Sequence, residues 1–344
     1  MNFSVPTVNP LTNIYKSFEE KDEFIYLTRK IITEHDVDLL FGWLQKVKQQ
    51  GIVIFRGLGQ SHYKHYSHSQ RQFAPLINCY NSHELFYELI LDTVEYAKKW
   101  NNGTLKNYLK ARGIEGDLFA YLSLMQHFGI PTPLIDFTKN PYVALYFATA
   151  KQLEQNSGNE INDFCSLYYI NKEYPYLKIY RNHFINTIKV NLKDGYTREK
   201  AYFYGIRFTP QLIIDGDDEL FKIVNNINII NQEGIFIMNG DSNQPLEDQH
   251  DLQKRIYIDQ LKQKGMNYSG SQKMFGCWEI HKSLNDLIRE RLNKDHGINH
   301  KFLFPEMGQC KIDFKTEFKY PTNLDASLDG SYWKNRERAV KSGN

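Results

Sequence analysis

The stretch QHFGIPTPLIDFTKNPYVALYFA, residues 126–148, decides how the chain folds. Pro131 and Pro133 cannot donate to a helix, and each pushes the residue before it into an extended conformation, so 131–138 reads as a short strand leaving a turn. Asn140-Pro141 then pairs a capping side chain with a first-turn proline, the signature of a helix start. The helix this opens, Tyr142-Val-Ala-Leu-Tyr-Phe-Ala148, is apolar on nearly every side and is expected at the centre of the fold, holding the turn that carries Asp136 and Thr138. Upstream, Leu118, Phe119, Leu122, Met125 and Phe128 recur at helical spacing. Gly129 supplies the left-handed residue that ends such a helix, with Gln126 and His127 on its last turn.

Working outward, Val37, Leu39, Leu40, Trp43, Leu44 and Val47 predict an amphipathic helix that stops near Gly51. The β-branched run Ile52-Val-Ile-Phe55 predicts a buried strand with Arg56 at its end, where Gly57 and Gly59 permit a sharp turn. Asn81-Ser-His-Glu84 has the spacing of a capping box. Beyond the central motif, 164–170, 234–238 and 277–280 read as strands, and 240–249 as a polar loop of the kind that moves or binds. Ser283 to Asp286 has the pattern of a cap for a helix running through Leu292. Strands and helices are interspersed, which gives an α+β class with a mixed or antiparallel β core packed by helices. The expected organisation is an N-terminal arm at 1–20, one domain at 21–312 (motif core 51–150, later strands 160–240, a closing strand and helix at 275–312) and a polar tail at 313–344.

Composition narrows the function classes. Aromatics make up 14% of the 344 residues and the hydrophobic fraction is 41%, enough for a real core. A net charge of +2 gives no global field to concentrate a polyanion. The longest apolar-rich run, 142–150, falls well short of the roughly 18 residues of a membrane span, and the N terminus lacks a basic segment followed by an apolar one. Cys79, Cys165, Cys277 and Cys310 are scattered without a C-x-x-C pair, so neither zinc nor a disulfide framework is indicated. A cytoplasmic protein with no membrane contact is expected. His62, His65 and His68 fall three apart and suggest metal, but no nearby Asp, Glu or Cys set completes a site, and a basic aromatic loop containing Lys64 and Arg71 is the better reading. There is no G-x-S-x-G elbow and no P-loop.

Phe55-Arg-Gly57 after an apolar strand, followed by the 126–148 motif, is similar to the FRG-domain family. Asn231-Gln-Glu-Gly-Ile-Phe236 resembles a later Gln-x-Gly-x-Phe segment of that family. Ile280-His-Lys282 and Leu303-Phe-Pro305 resemble its closing stretch, so the likeness spans roughly 37–312. Two positions depart from it: Pro133 stands where an Arg is usual, and Phe137 where a Trp is usual. The family fixes no activity. A remoter analogy is to ADP-ribosyltransferases, in which an Arg ends the first core strand, a Ser/Thr strand precedes a buried helix and a Glu lies on a later strand. Arg56, Thr138 and Glu233 occur in that order.

The analogy implies NAD as co-substrate and no metal. Loss of nicotinamide passes through an oxocarbenium-like state that a carboxylate must face, which makes Glu233 the expected catalytic acid, with Thr138 and His127 beside it. Arg56, Gln126, Asp136 and Gln232 make up the expected cofactor-binding set, Arg56 gripping phosphate or ribose oxygens with its planar fork. The chain would then be an ADP-ribosyltransferase or NAD-glycosidase-like enzyme, a toxin-like effector in bacterial conflict or phage defence, acting on a protein or nucleic-acid acceptor. Structural readings stand beside each role. Arg56 can pair with Asp136, His127 can close its helix, Thr138 and Asn140 can cap, and Gln232 can matter in place of Glu233. Two other classes stay open: a non-catalytic module binding a nucleotide or nucleic-acid end through Arg56, His127 and Asp136, and a structural interaction protein.

Overall fold

The computed structural model describes residues 9–305, apart from 81–82, 115–116, 128, 151–157, 210, 217–226 and 251–272. The expected tail at 313–344, the start of the Asn81 capping box and Phe128 lie outside the described residues.

Seven strands form one sheet: β1 (Tyr26–Ile31), β2 (Val53–Leu58), β3 (Leu134–Thr138), β4 (Phe164–Asn171), β5 (Gln211–Ile214), β6 (Gly234–Asn239) and β7 (Gly276–His281), in the order β1-β7-β4-β2-β3-β6-β5. β1 runs parallel to β7 and the other pairings are antiparallel. Helices α1 (Phe18–Phe24), α2 (Glu34–Gln50), α3 (His68–Tyr80), α4 (His83–Ala111), α5 (Leu118–His127), α6 (Pro141–Ala148), α7 (Pro175–Lys193), α8 (Arg198–Phe208), α9 (Ile227–Asn231) and α10 (Asn285–His296) surround it. The class is α+β with a mixed sheet. Among the described residues no helix is long and apolar enough to cross a membrane.

Alternation along the strands gives the sheet two unlike faces. On one, Phe55, Cys165, Leu167, Trp278 and Ile280 pack under α2, α6 and α10. Helix α2 begins with a capping box between Thr33 and Asp36, buries Val37, Leu40, Phe41, Leu44 and Val47, and ends at Gly51 with φ +68°. Helix α6 is capped by Asn140, whose Oδ1 accepts from the Tyr142 N–H at 3.1 Å. It crosses β2 so closely that a Cβ at Gly57 would overlap the Ala144 carbonyl oxygen and the Ala148 nitrogen. Gly57 therefore serves close approach rather than a turn, and the strand runs on past Arg56 to Leu58.

On the other face, Ile54, Ile135, Phe137, Tyr168, Ile170, Ile235 and Ile237 pack with α1, α7 and the segment around Leu246. Two further segments pack on this face. Within the 1–20 arm, Tyr15 is fully buried and its hydroxyl donates to Glu247 Oε1 at 3.1 Å, so the lead-in is part of the core. The 240–249 loop is docked: Leu246 N–H donates to the His65 carbonyl at 3.1 Å, and the Gln70 amide donates to the Asp241 and Gln244 carbonyls at 2.9 and 2.7 Å. Near the C terminus, His281 rather than Ser283 caps the turn before α10, accepting from the Ser283 N–H at 3.3 Å.

Candidate functional site

β2 and β3 share a single registered pair, Phe55 with Thr138. Beyond it they part, β2 following β4 and β3 following β6. Arg56 lies at this opening. It stands opposite Tyr168 on β4, so its side chain is on the face away from Phe55 and Thr138. Its Nη1 donates to the Asp136 carbonyl, its Cζ is 5.9 Å from the Phe137 ring centre, and its Nε is buried without a partner. Past the single registered pair, Arg56 thus reaches β3 through its side chain.

The Asp136 side chain is exposed, and Oδ2 accepts from Gln126 Nε2 at 2.9 Å. Gln126 Oε1 accepts from the Thr132 hydroxyl at 2.5 Å, which ties the end of α5 to the turn before β3. Pro133, in place of the family Arg, offers its carbonyl to the Asn239 N–H at 2.9 Å. His127 is exposed at the same edge; partial burial of its ring lowers its proton affinity and Asp136 acts the other way. Arg71, from α3, adds a second guanidinium, its head tucked against the Tyr66 carbonyl at 2.6 Å. Burial pulls Arg56 down to about 10 against the pull of Asp136, and the nearby Arg71 charge works with burial. Both arginines stay charged at neutral pH, in a setting that solvates them poorly. The basic aromatic run around Lys64 was the sequence signal for Arg71.

A second cluster forms where β3 meets α6. Three consecutive residues hold the turn before β6: the Thr138 hydroxyl donates to the Gln232 carbonyl at 2.5 Å, the Lys139 N–H to the Glu233 carbonyl at 3.0 Å, and Asn140 Nδ2 to Glu233 Oε1 at 2.7 Å. Gln232 Nε2 reaches the Leu303 carbonyl at 3.4 Å. Glu233 is exposed yet left-handed, with φ +47°, just past the end of α9 where glycine is usual. Its carboxylate is thus fixed in place. The structure brings Arg56, Gln126, His127 and Asp136 together, and separately Thr138, Gln232 and Glu233. Arg56 and Thr138 project to opposite faces of the sheet.

Sequence reasoning missed a buried ionic network beside Arg56. Lys21 and Glu279, both at 0% exposure, pair at 2.5 Å, with the Ser166 hydroxyl 2.9 Å from each. His65 Nδ1 lies 3.3 Å from Glu247 Oε2, and Glu247 also accepts from the His65 N–H at 3.0 Å. Among the described residues no group of three His, Cys, Asp or Glu is arranged to hold a metal ion.

No curated protein and no solved structure matches the chain. Residues 51–157 match the model of the FRG domain. The matched region runs from β2 through α6 and contains Arg56, Gln126, His127, Asp136 and Thr138, while Gln232 and Glu233 fall outside it. With Phe55-Arg-Gly57 at the opening of the sheet and the 126–148 stretch both inside the match, this chain carries an FRG domain.

Proposed function

We propose that the opening between β2 and β3 binds a phosphate-bearing ligand of the nucleotide class. The observation that carries this reading is the pair of poorly solvated guanidiniums, Arg56 and Arg71, beside one exposed carboxylate. Two positive charges facing one negative leave a local excess that an oxyanion neutralises, and guanidinium forks match phosphate oxygens. Gln126 and His127 stand at the rim as neutral polar contacts.

Calorimetric titration with ADP-ribose, AMP and inorganic phosphate tests it. Arg71→Ala weakens all three, and Asp136→Asn tightens them by removing the competing charge. Unchanged affinity in both variants ends the proposal. A nucleic-acid ligand would instead be recognised by affinity that falls steeply with added salt.

A second reading, NAD cleavage with an ADP-ribosyltransferase-like assignment, is favoured by one observation: Glu233 is a strained, exposed carboxylate clamped by Asn140. Such fixed charge is what an oxocarbenium-like state requires. In this reading Arg56 does not share the cleft of Glu233. NAD consumption by the wild type that Glu233→Gln abolishes supports it, and consumption that Glu233→Gln leaves intact removes it.

A further inference from the structure

Beneath the proposed ligand site lie buried polar atoms without a hydrogen-bond partner, among them Arg56 Nε, both ring nitrogens of His65 and the Tyr168 hydroxyl. They belong to one neighbourhood. Arg56 and Tyr168 face each other across β2 and β4. The His65 ring meets the Tyr168 ring edge-on at 4.3 Å, and the Phe137 ring neighbours both His65, at 6.1 Å, and the Arg56 guanidinium, at 5.9 Å. His65 is 1% exposed and Tyr168 0%, so bulk water does not serve them. Interiors leave few such groups, because each keeps its full desolvation cost.

The chemistry of the three narrows what joins them. His65 Nδ1 lies 3.3 Å from Glu247 Oε2, and the carboxylate charge favours the neutral ring's proton on Nδ1, which leaves a lone pair on Nε2. Arg56 Nε only donates, and the Tyr168 hydroxyl does either. A fully ionised phosphate oxygen cannot donate to His65, and an ammonium cannot accept from Arg56. A hydroxyl oxygen does both.

We infer that Arg56, His65 and Tyr168 form a receptor for one hydroxyl group. Its source is either a hydroxyl of the ligand held at Arg56 and Arg71, in which case the inference rests on the reading above and makes that ligand a sugar phosphate, or a resident water.

The test is Tyr168→Phe in the full chain, which keeps the ring and removes the hydroxyl. Thermal unfolding is measured without ligand, followed by titration with ribose 5-phosphate and with inorganic phosphate. A ligand hydroxyl is indicated if ribose 5-phosphate weakens about tenfold, the worth of one hydrogen bond, while inorganic phosphate is unchanged. A resident water is indicated if the variant melts lower and both probes bind as before. The inference is overturned if the variant melts at the same temperature or higher and both probes are unaffected, since a partnerless hydroxyl in a dry core is better absent. Should the wild type bind neither probe, the phosphate-site reading falls, and the melting temperature alone decides between a water and no receptor.

Discussion

One face of the sheet is closed by apolar packing of α2, α6 and α10, whereas the other buries Lys21, His65, Glu247 and Glu279 among its aromatic rings. The first face resists any change of volume in its interior and meets polar side chains at the β3–α6 junction. The second has to satisfy charges removed from water, which burial penalises heavily unless they are paired. Arg56 projects onto this second face, so the candidate ligand site borders the region where desolvated charge is already held. Three segments distant in sequence, 15–21, 60–70 and 239–250, meet there through polar bonds, and those bonds fix how the segments dock on the strands.

Breaking the buried pair should give the largest effect. Lys21→Met leaves Glu279 charged without its partner and is expected to cost about 3–5 kcal/mol, read by urea denaturation. Adding Glu279→Leu should recover most of that loss, because two apolar groups need no compensation. A loss below about 1 kcal/mol in the single variant would mean that the pair is not desolvated as its burial indicates.

On the apolar face the comparable probe is Gly57. Gly57→Ala drives a methyl into the α6 backbone and is expected to cost about 3 kcal/mol, since backbone cannot rotate aside as a side chain can. Gly51→Ala, at φ +68° with open space around it, should cost only the left-handed strain of about 1 kcal/mol. Equal losses at the two glycines would show that α6 does not rest tightly on β2.

The apolar face was the legible one. Helical spacing from Val37 to Val47, the Asn140-Pro141 start and the β-branched run at 52–55 each announce a local element, and each forms. The second face depends on contacts that local pattern does not encode. Lys21 looks like any surface lysine until α1 places it against Glu279, some 250 residues away in sequence. His65 reads as part of a histidine triplet, yet it is buried against Phe275 and Tyr168. Strands β1 and β5 and helices α7 and α8 also went unread. Among the site residues, the proximity of Arg56 to Asp136 was anticipated, though the bond goes to the carbonyl of Asp136, and the separation of Arg56 from Thr138 follows from a strand register that no motif states.

Acid should sharpen the contrast between the faces. Burial holds His65 below its usual proton affinity. Burial would raise Glu247, but the His65 contact and backbone N–H groups hold it below the usual carboxylate range. Below about pH 6.5 the unfolded chain binds a proton at His65 that the folded chain does not, so stability is fully present above that pH and declines as pH falls, at no more than about 1.4 kcal/mol per pH unit. Asp248, pushed up to about 6 by burial despite Lys64, acts in the opposite sense, because the folded state binds its proton more tightly than the unfolded state. Stability measured from pH 7.5 to 6 should therefore slope downward in the wild type and be flatter in His65→Gln. An equal slope would assign the acid sensitivity to other groups.

The smallest expected effect has an unusual sign. Glu233 occupies a left-handed position that glycine adopts without strain, so Glu233→Gly should relieve about 1 kcal/mol. The Asn140 bond to an exposed carboxylate returns less than that, since water competes for both partners. The expected outcome is a slightly higher melting temperature, with any NAD consumption lost. Glu233→Gln separates the causes: it keeps a left-handed side chain and an acceptor for Asn140 but carries no charge, so it should leave stability near that of the wild type. If Glu233→Gly lowers stability, the clamp from Thr138, Lys139 and Asn140 depends on the carboxylate, and Glu233 is a structural member of the β3–α6 junction. A rise in stability with loss of turnover would instead mark a strained residue retained for chemistry, as fixed charges at active sites are.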